Sequence, residues 1–283
     1  MAQIKLNNGL MMPLQGYGVF QIPDQQQCER AVLDALATGY RLIDTAAAYG
    51  NEGAVGRAIQ RSNVDRADLF ISSKVWIQDA GYDQTLASFN RTLANLQTDY
   101  LDLYLIHMPY GDYQGSWRAM EDLYAAGKIK AIGVCNFEAD RLLDLILSNH
   151  VVPAVDQMET HPFTQQKALR SVLQQYGIKL MAWAPFAEGQ RGLFTQPVLK
   201  AIGDQYGKTP AQVTLRWLLQ NDIVAIPKSV HADRMAQNFA INDFTLSPAD
   251  MVQIATLDTE QPVILQIRAL PEVFRLHGMT ITQ

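Results

Sequence analysis

The chain has little of what several protein classes need. It holds two cysteines, Cys28 and Cys135, in 283 residues. That count supports neither a disulfide scaffold nor a cysteine metal cluster, and it fits a reducing compartment. No clustered metal-ligand spacing is present, so no metal is expected. No apolar run reaches the roughly 18 residues of a membrane span. The first residues, Met1 to Asn7, lack an apolar h-region, so no signal peptide is read and a cytoplasmic location is expected. Charged residues are 18% of the chain and hydrophobic ones 48%, a composition that excludes disorder and provides for a large core. The net charge of −5 argues against nucleic acid or an anionic membrane as partner. A dinucleotide fingerprint is missing too: Gly16-Tyr17-Gly18 has no third glycine, and no helix follows at once.

What is present is alternation. Short apolar runs predict strands at 14–17, 42–43, 69–72, 101–106, 131–134, 154–155, 180–183 and 223–226. Helical spacing falls between and after them, at 28–36, 53–59, 84–96, 117–126, 138–147, 166–176, 209–219, 233–239 and 248–257. Thr209-Pro210-Ala211-Gln212 reads as a capping box with proline at the first helical position, and Ser247-Pro248 as a second capped start. Continuous apolar strands that alternate with helices indicate a parallel sheet covered by helices. Eight such units in this length predict an α/β chain folded as one (β/α)8 TIM barrel over residues 1–283. An N-terminal β-hairpin around Asn8-Gly9 forms a lid on one end; extra C-terminal helices at 233–239 and 248–257 follow the last strand, and a loop or terminal arm begins at Gln261. A doubly wound sheet is the alternative.

Active sites of such barrels form at the carboxyl ends of the strands. In Gly39-Tyr-Arg-Leu-Ile-Asp-Thr-Ala-Ala-Ala-Tyr-Gly-Asn-Glu52, a buried run ends in Asp44, and Tyr49 lies five positions on. Later strand ends carry Lys74 and Trp76, His107, Cys135 and Asn136, Gln157, Trp183, then Lys228 and Ser229. Each has a plainer reading alone: Asp44 as a loop cap, His107 as a satisfied core histidine, Lys74 as a solvated charge. Together four of them have a chemistry. Asp44 holds Lys74, the ammonium lowers the phenol of Tyr49 from its usual value of about 10, and His107 orients a substrate oxygen. Such a set gives a proton to a developing alkoxide but holds no nucleophile, so the other reagent is a hydride from a cofactor.

The stretch above, with Leu101-Asp-Leu-Tyr-Leu-Ile-His107, Ile132-Gly-Val-Cys-Asn-Phe137 and Ile226-Pro-Lys-Ser229, resembles the signatures of the aldo-keto reductases. The overall pattern is similar to the prokaryotic branch that includes 2,5-diketogluconate reductases. The match runs from the hairpin to about Leu257. It implies a (β/α)8 barrel, NADPH/NADP+ as cofactor, reduction of aldehydes and ketones to alcohols, and usually a monomer. By resemblance the catalytic tetrad is Asp44, Tyr49, Lys74 and His107, with the proton from Tyr49. Cys135, Asn136 and Gln157 fall where the nicotinamide carboxamide is held, and Trp183 where an aromatic stacks on the ring. Ala184 to Phe186 replace a serine-containing pyrophosphate loop. Lys228, Ser229 and Arg234 fall at the adenosine 2′-phosphate, and Gln237 and Asn238 near the adenine. Two cations and a hydroxyl around a helix start also make a phosphate site on physical grounds. Phe20, Ala48, Trp76 and Met108 line the substrate pocket with the tail. Their apolar character suits small aliphatic or aromatic carbonyls, while Arg268 of the tail leaves a keto sugar acid open. Two other classes also stay open: a nicotinamide-binding regulatory or structural protein, and a barrel isomerase or lyase without cofactor.

Overall fold

A computed structural model describes residues 2–281; residues 1, 282 and 283 lie outside it. The chain runs β1 (Gln3–Lys5), β2 (Met11–Pro13), β3 (Gly16–Gly18), α1 (Gln25–Thr38), β4 (Leu42–Asp44), α2 (Glu52–Arg61), β5 (Phe70–Val75), α3 (Tyr82–Leu96) and β6 (Leu103–Ile106). It continues with α4 (Tyr113–Ala125), β7 (Ile132–Cys135), α5 (Ala139–Ser148), β8 (Val155–Glu159), α6 (Lys167–Gln175) and β9 (Lys179–Trp183). The last elements are α7 (Pro197–Tyr206), α8 (Pro210–Gln220), β10 (Val224–Ala225), α9 (Ala232–Phe239), α10 (Pro248–Ala255) and α11 (Leu270–His277).

Strands β3 to β10 form one parallel sheet in chain order. A parallel bridge from Gln15 to Ala225, with Ala225 N–H donating to Leu14 O at 2.9 Å, closes β10 onto β3. The (β/α)8 barrel expected from the sequence is therefore the fold, and the doubly wound alternative is excluded. Closure removes every sheet edge, and both faces are buried, which is why the strands carry apolar runs. β1 and β2 pair antiparallel beneath the barrel. Asn7 and Asn8 of their turn donate to Pro153 O and Lys130 O, both at 2.9 Å, just ahead of β8 and β7. The hairpin thus covers the amino ends of the strands and leaves the carboxyl ends open.

Two elements differ from the sequence expectation. α7 was not anticipated, although Pro197 at its first turn and Gly207 at its end, with φ 64°, are ordinary start and stop signals. The segment after Gln261 is not only a loop: it contains α11 and runs across the open mouth. Trp76 Nε1 donates to Met279 O at 3.3 Å, Ile281 N–H to Gln78 Oε1 at 2.9 Å, and the Tyr110 hydroxyl to Ile267 O. The capping boxes at Thr209 and Ser247 form as expected.

Gly56 fixes how α2 meets α3. A Cβ there meets Asn95 O at 2.3 Å and Leu96 Cα at 2.9 Å, so the helices touch through bare backbone. Gly56→Ala is expected to lower unfolding free energy by about 1–3 kcal/mol, the usual range for overpacking. Urea denaturation measures it, and an unchanged midpoint refutes so tight a contact.

Candidate active site

At the mouth, the period of two in each strand decides which side chains face inward. In β5, Ser72 and Lys74 point into the barrel while Ser73 points out, where its hydroxyl donates to Glu52 of α2 at 2.5 Å. Lys74 is fully buried. Its ammonium lies 2.6 Å from Asp44 Oδ2, 2.8 Å from Thr45 O and 3.3 Å from the Tyr49 hydroxyl, so each of its three hydrogens has an acceptor. The other oxygen of Asp44 accepts from Ser72 Oγ at 2.7 Å and Gln157 Nε2 at 3.0 Å. Lys74 therefore lies within its strand rather than beyond it, and Gln157 lies mid-strand in β8.

Tyr49 is delivered by a short 3-10 turn, Ala47–Tyr49, that ends at Gly50 with φ 66°. Asn51, fully buried, holds this loop. Its amide donates to Val19 O at 2.9 Å and Ile22 O at 3.2 Å and accepts from Thr45 Oγ1 at 3.0 Å. Asn136 plays a similar part across the mouth. In a left-handed backbone conformation, φ 61°, it donates to His107 O at 3.1 Å and accepts from Trp183 Nε1 at 2.9 Å. The ends of β6, β7 and β9 are thereby joined through one amide, which also sets the plane of the indole.

The electrostatics correct one expectation. Burial pushes the Tyr49 phenol up to about 12, although Lys74 pulls it down through its charge and its hydrogen bond. The phenol opens onto the cavity, yet it has protein on most sides, and the loss of water outweighs the ammonium. Tyr49 is thus a protonated donor at neutral pH. Lys74 is held above the ordinary lysine value: burial opposes its charge, and Asp44, Tyr49 and Cys135 together overcome that opposition. Burial, reinforced by the Lys74 charge, drives His107 well below the usual histidine value. Its imidazole is neutral, and Nδ1 has no partner among the described residues. Burial likewise raises Asp156, beside Gln157, well above the carboxylate range; the Phe137 N–H pulls the other way without good hydrogen-bond geometry.

These groups floor a cavity of about 570 Å³. It is lined by Asp44, Tyr49 and His107, by Asn136, Gln157 and Trp183, and by Ala184 and Phe186. Phe20, Ala48, Trp76 and Met108 form an apolar wall, and Lys228 and Arg234 stand at the far end. Neither cation has a carboxylate within ion-pair distance among the described residues. Five expected contacts lie off this lining. Cys135 is buried below it, its thiol donating to Gln157 Oε1 at 3.5 Å. Ser229 spends its hydroxyl on the His231 backbone at the start of α9. Gln237 is exposed and Asn238 buried on α9, away from the lining. Arg268, expected near the substrate, is paired outward with Glu138 and exposed.

The tail lines the cavity as expected, but through residues that sequence reasoning did not single out: Ile264, Leu265, Arg275, Leu276 and Met279, with Arg275 paired to Glu272. Gln21 and Glu188 also reach the lining, where they hydrogen-bond at 3.2 Å, and both have left-handed backbones.

A lysine–aspartate–tyrosine cluster beside a neutral histidine, at the carboxyl mouth of a closed barrel, defines an oxidoreductase of the carbonyl-reducing kind. The chain belongs to the aldo/keto reductase family, whose model matches residues 5–259. It is 47% identical over 261 residues to glyoxal reductase of Bacillus subtilis (strain 168), covering 92% of this chain and 94% of that protein. Among solved structures it is similar to an aldo-keto reductase from a Medee basin deep-sea metagenome library, with TM-score 0.92, 41% identity and coverage of 94% and 99%. A Bombyx mori aldo-keto reductase in complex with NADP aligns with TM-score 0.87 and 32% identity, covering 93% of this chain and 94% of its own.

The lowered histidine gives a direct check. The His107 ring is expected not to titrate between about pH 6 and 8, since burial and the Lys74 charge hold it well below the usual histidine value of about 6.5. NMR of the ring carbons, assigned with His107→Gln, measures this, and a midpoint in that window refutes the neutral form.

Proposed function

We propose that the chain, as one barrel domain, catalyses the reversible NADPH-dependent reduction of aldehydes and ketones to alcohols, with Tyr49 as proton donor. The observation that carries this is the contact of the Tyr49 hydroxyl, at the cavity floor, with the ammonium of Lys74. The cavity residues suit the cofactor. Trp183 offers a fixed aromatic face. Gln157 gives its amide nitrogen to Asp44, and its carbonyl, which takes a long contact from the Cys135 thiol, has a second lone pair for a carboxamide donor. Lys228 and Arg234 offer two cations without carboxylate partners for a phosphate. When bound, NADPH supplies a hydride to the carbonyl carbon.

The chain's own groups do the rest. His107, neutral, donates one N–H to the carbonyl oxygen and orients it. Tyr49 gives its proton to that oxygen as negative charge develops there. The phenolate left behind is stabilised by the Lys74 ammonium, which Asp44 holds in place. The balance is complete: hydride to carbon, proton to oxygen, alcohol released, and the phenol restored from solvent.

The apolar wall of Phe20, Ala48, Trp76 and Met108 favours small uncharged carbonyls. Similarity to a protein named glyoxal reductase supports dicarbonyls among them. With Arg268 paired outward, the argument for a keto sugar acid weakens. Membership of the family supports a monomer acting on small molecules; the net charge of −5 argues against nucleic-acid or anionic-membrane partners, and the two free buried thiols fit the cytoplasm.

Tyr49→Phe is expected to lower turnover by about 10²–10⁴-fold, the range of a general acid. Fluorescence titration should show NADPH binding unchanged; retained turnover sinks the assignment. Lys228→Ala combined with Arg234→Ala should raise the Michaelis constant for NADPH at least about tenfold, from lost charge-assisted bonds, and leave NADH little affected. Equal effects on both cofactors refute the phosphate role.

A further inference from the structure

Glu159 is the last residue of β8, and its side chain is almost fully buried. A buried carboxylate is costly unless its lone pairs are used. Here they are used by another part of the chain. Val263 N–H donates to Oε1 at 2.6 Å, Ile264 N–H reaches Oε1 at 3.1 Å and Oε2 at 3.2 Å, and Leu265 N–H donates to Oε2 at 3.0 Å. Buried His161 adds a contact from Nε2 to Oε1 at 3.0 Å. Three successive backbone N–H groups on one carboxylate form an anion nest, here filled from inside the protein. Burial raises the carboxyl, but the His161 contact first, and then the Leu265 and Val263 N–H bonds, hold it below its usual value. The residues so held matter to the cavity, because Ile264 and Leu265 are two of its lining residues. Glu159 itself is not on that lining.

We propose that Glu159 is a specificity-positioning residue: by gathering the N–H groups of residues 263–265, it sets the wall that contacts the outer part of a carbonyl substrate. The inference rests on the carbonyl-reduction reading of the cavity. A small substrate held between Tyr49 and His107 does not need that wall. A larger one does.

Glu159→Gln keeps the volume but replaces one acceptor oxygen by a donor facing the N–H nest. With NADPH present, its Michaelis constant for 4-nitrobenzaldehyde should rise about fivefold or more, as expected for lost uniform binding. Its turnover of glyoxal and its affinity for NADPH should stay at the wild-type level. Hydrogen exchange at residues 263–265 should quicken while that of the barrel strands does not. Val263→Pro removes the shortest of these bonds from the arm side, leaves Glu159 and His161 intact, and should shift the same Michaelis constant and the exchange of 264–265. If Glu159→Gln fails to fold, that variant decides. A parallel loss of both aldehyde activities with falling thermal stability shows a merely structural carboxylate and overturns the proposal. Unchanged selectivity or unchanged exchange overturns it as well. Wild-type protein that reduces neither aldehyde defeats the carbonyl reading, while the exchange data still decide whether Glu159 holds the arm.

Discussion

Everything at the mouth of the barrel depends on one buried ion pair. An ammonium and a carboxylate each lose several kcal/mol of hydration on burial, so Lys74 and Asp44 persist only because their remaining bonds are nearly all made. Thr45 O and the Tyr49 hydroxyl complete the shell of Lys74; Ser72 and Gln157 complete that of Asp44. Removing either partner from such a pair typically costs about 3–5 kcal/mol. The pair draws on β4, β5 and β8 and on the loop that carries Tyr49, so the closed barrel is the condition for its existence. The rigid register of parallel strands brings groups 113 positions apart, Asp44 and Gln157, within hydrogen-bond distance.

That environment also sets the resting state of Tyr49. A charge beside a phenol, considered alone, favours phenolate. In the folded protein the loss of water outweighs that charge and the neutral form is favoured further. For the proton transfer proposed for Tyr49, this is the useful resting state, and the ammonium would count most after the proton has left. His107 follows the same logic. Neutral by burial and repelled from protonation by Lys74, it offers a hydrogen bond without competing for the proton. Tyr49 and His107 are thus both held neutral beside a charged Lys74, and solvent access and mutual charge shift all three further from titrating near neutral pH.

The legible part of this site was legible for a physical reason. Parallel strands buried on both faces must be apolar along their length, so a polar residue at the end of such a run stands out. Asp44 and His107 end runs of that kind, and Tyr49 lies in the same loop as Asp44. Lys74 and Gln157 were placed one step too far along because they sit inside strands, where only inward pleating distinguishes them from a strand end. Glu159 went unread because its function is contact with residues more than a hundred positions away. The tail was expected at the pocket, but its helix and its lining residues went unread because the helix is short, little of the tail is buried, and its contacts are mostly to its own backbone carbonyls and N–H groups, which no side-chain pattern records.

By itself the sequence determined the alternation of strands and helices, hence a parallel sheet with helical cover, and the identity of the four groups that converge on the mouth. These follow from periodicity and from the cost of burying charge, both local properties of the chain. Only the tertiary structure decided that the sheet closes, that burial outweighs the ammonium at the Tyr49 phenol, and which residues of the tail meet the cavity, with 263–265 held by Glu159. Each of these depends on how much water the surrounding chain removes and on which distant backbone groups it brings near, quantities that no neighbouring residue in sequence fixes.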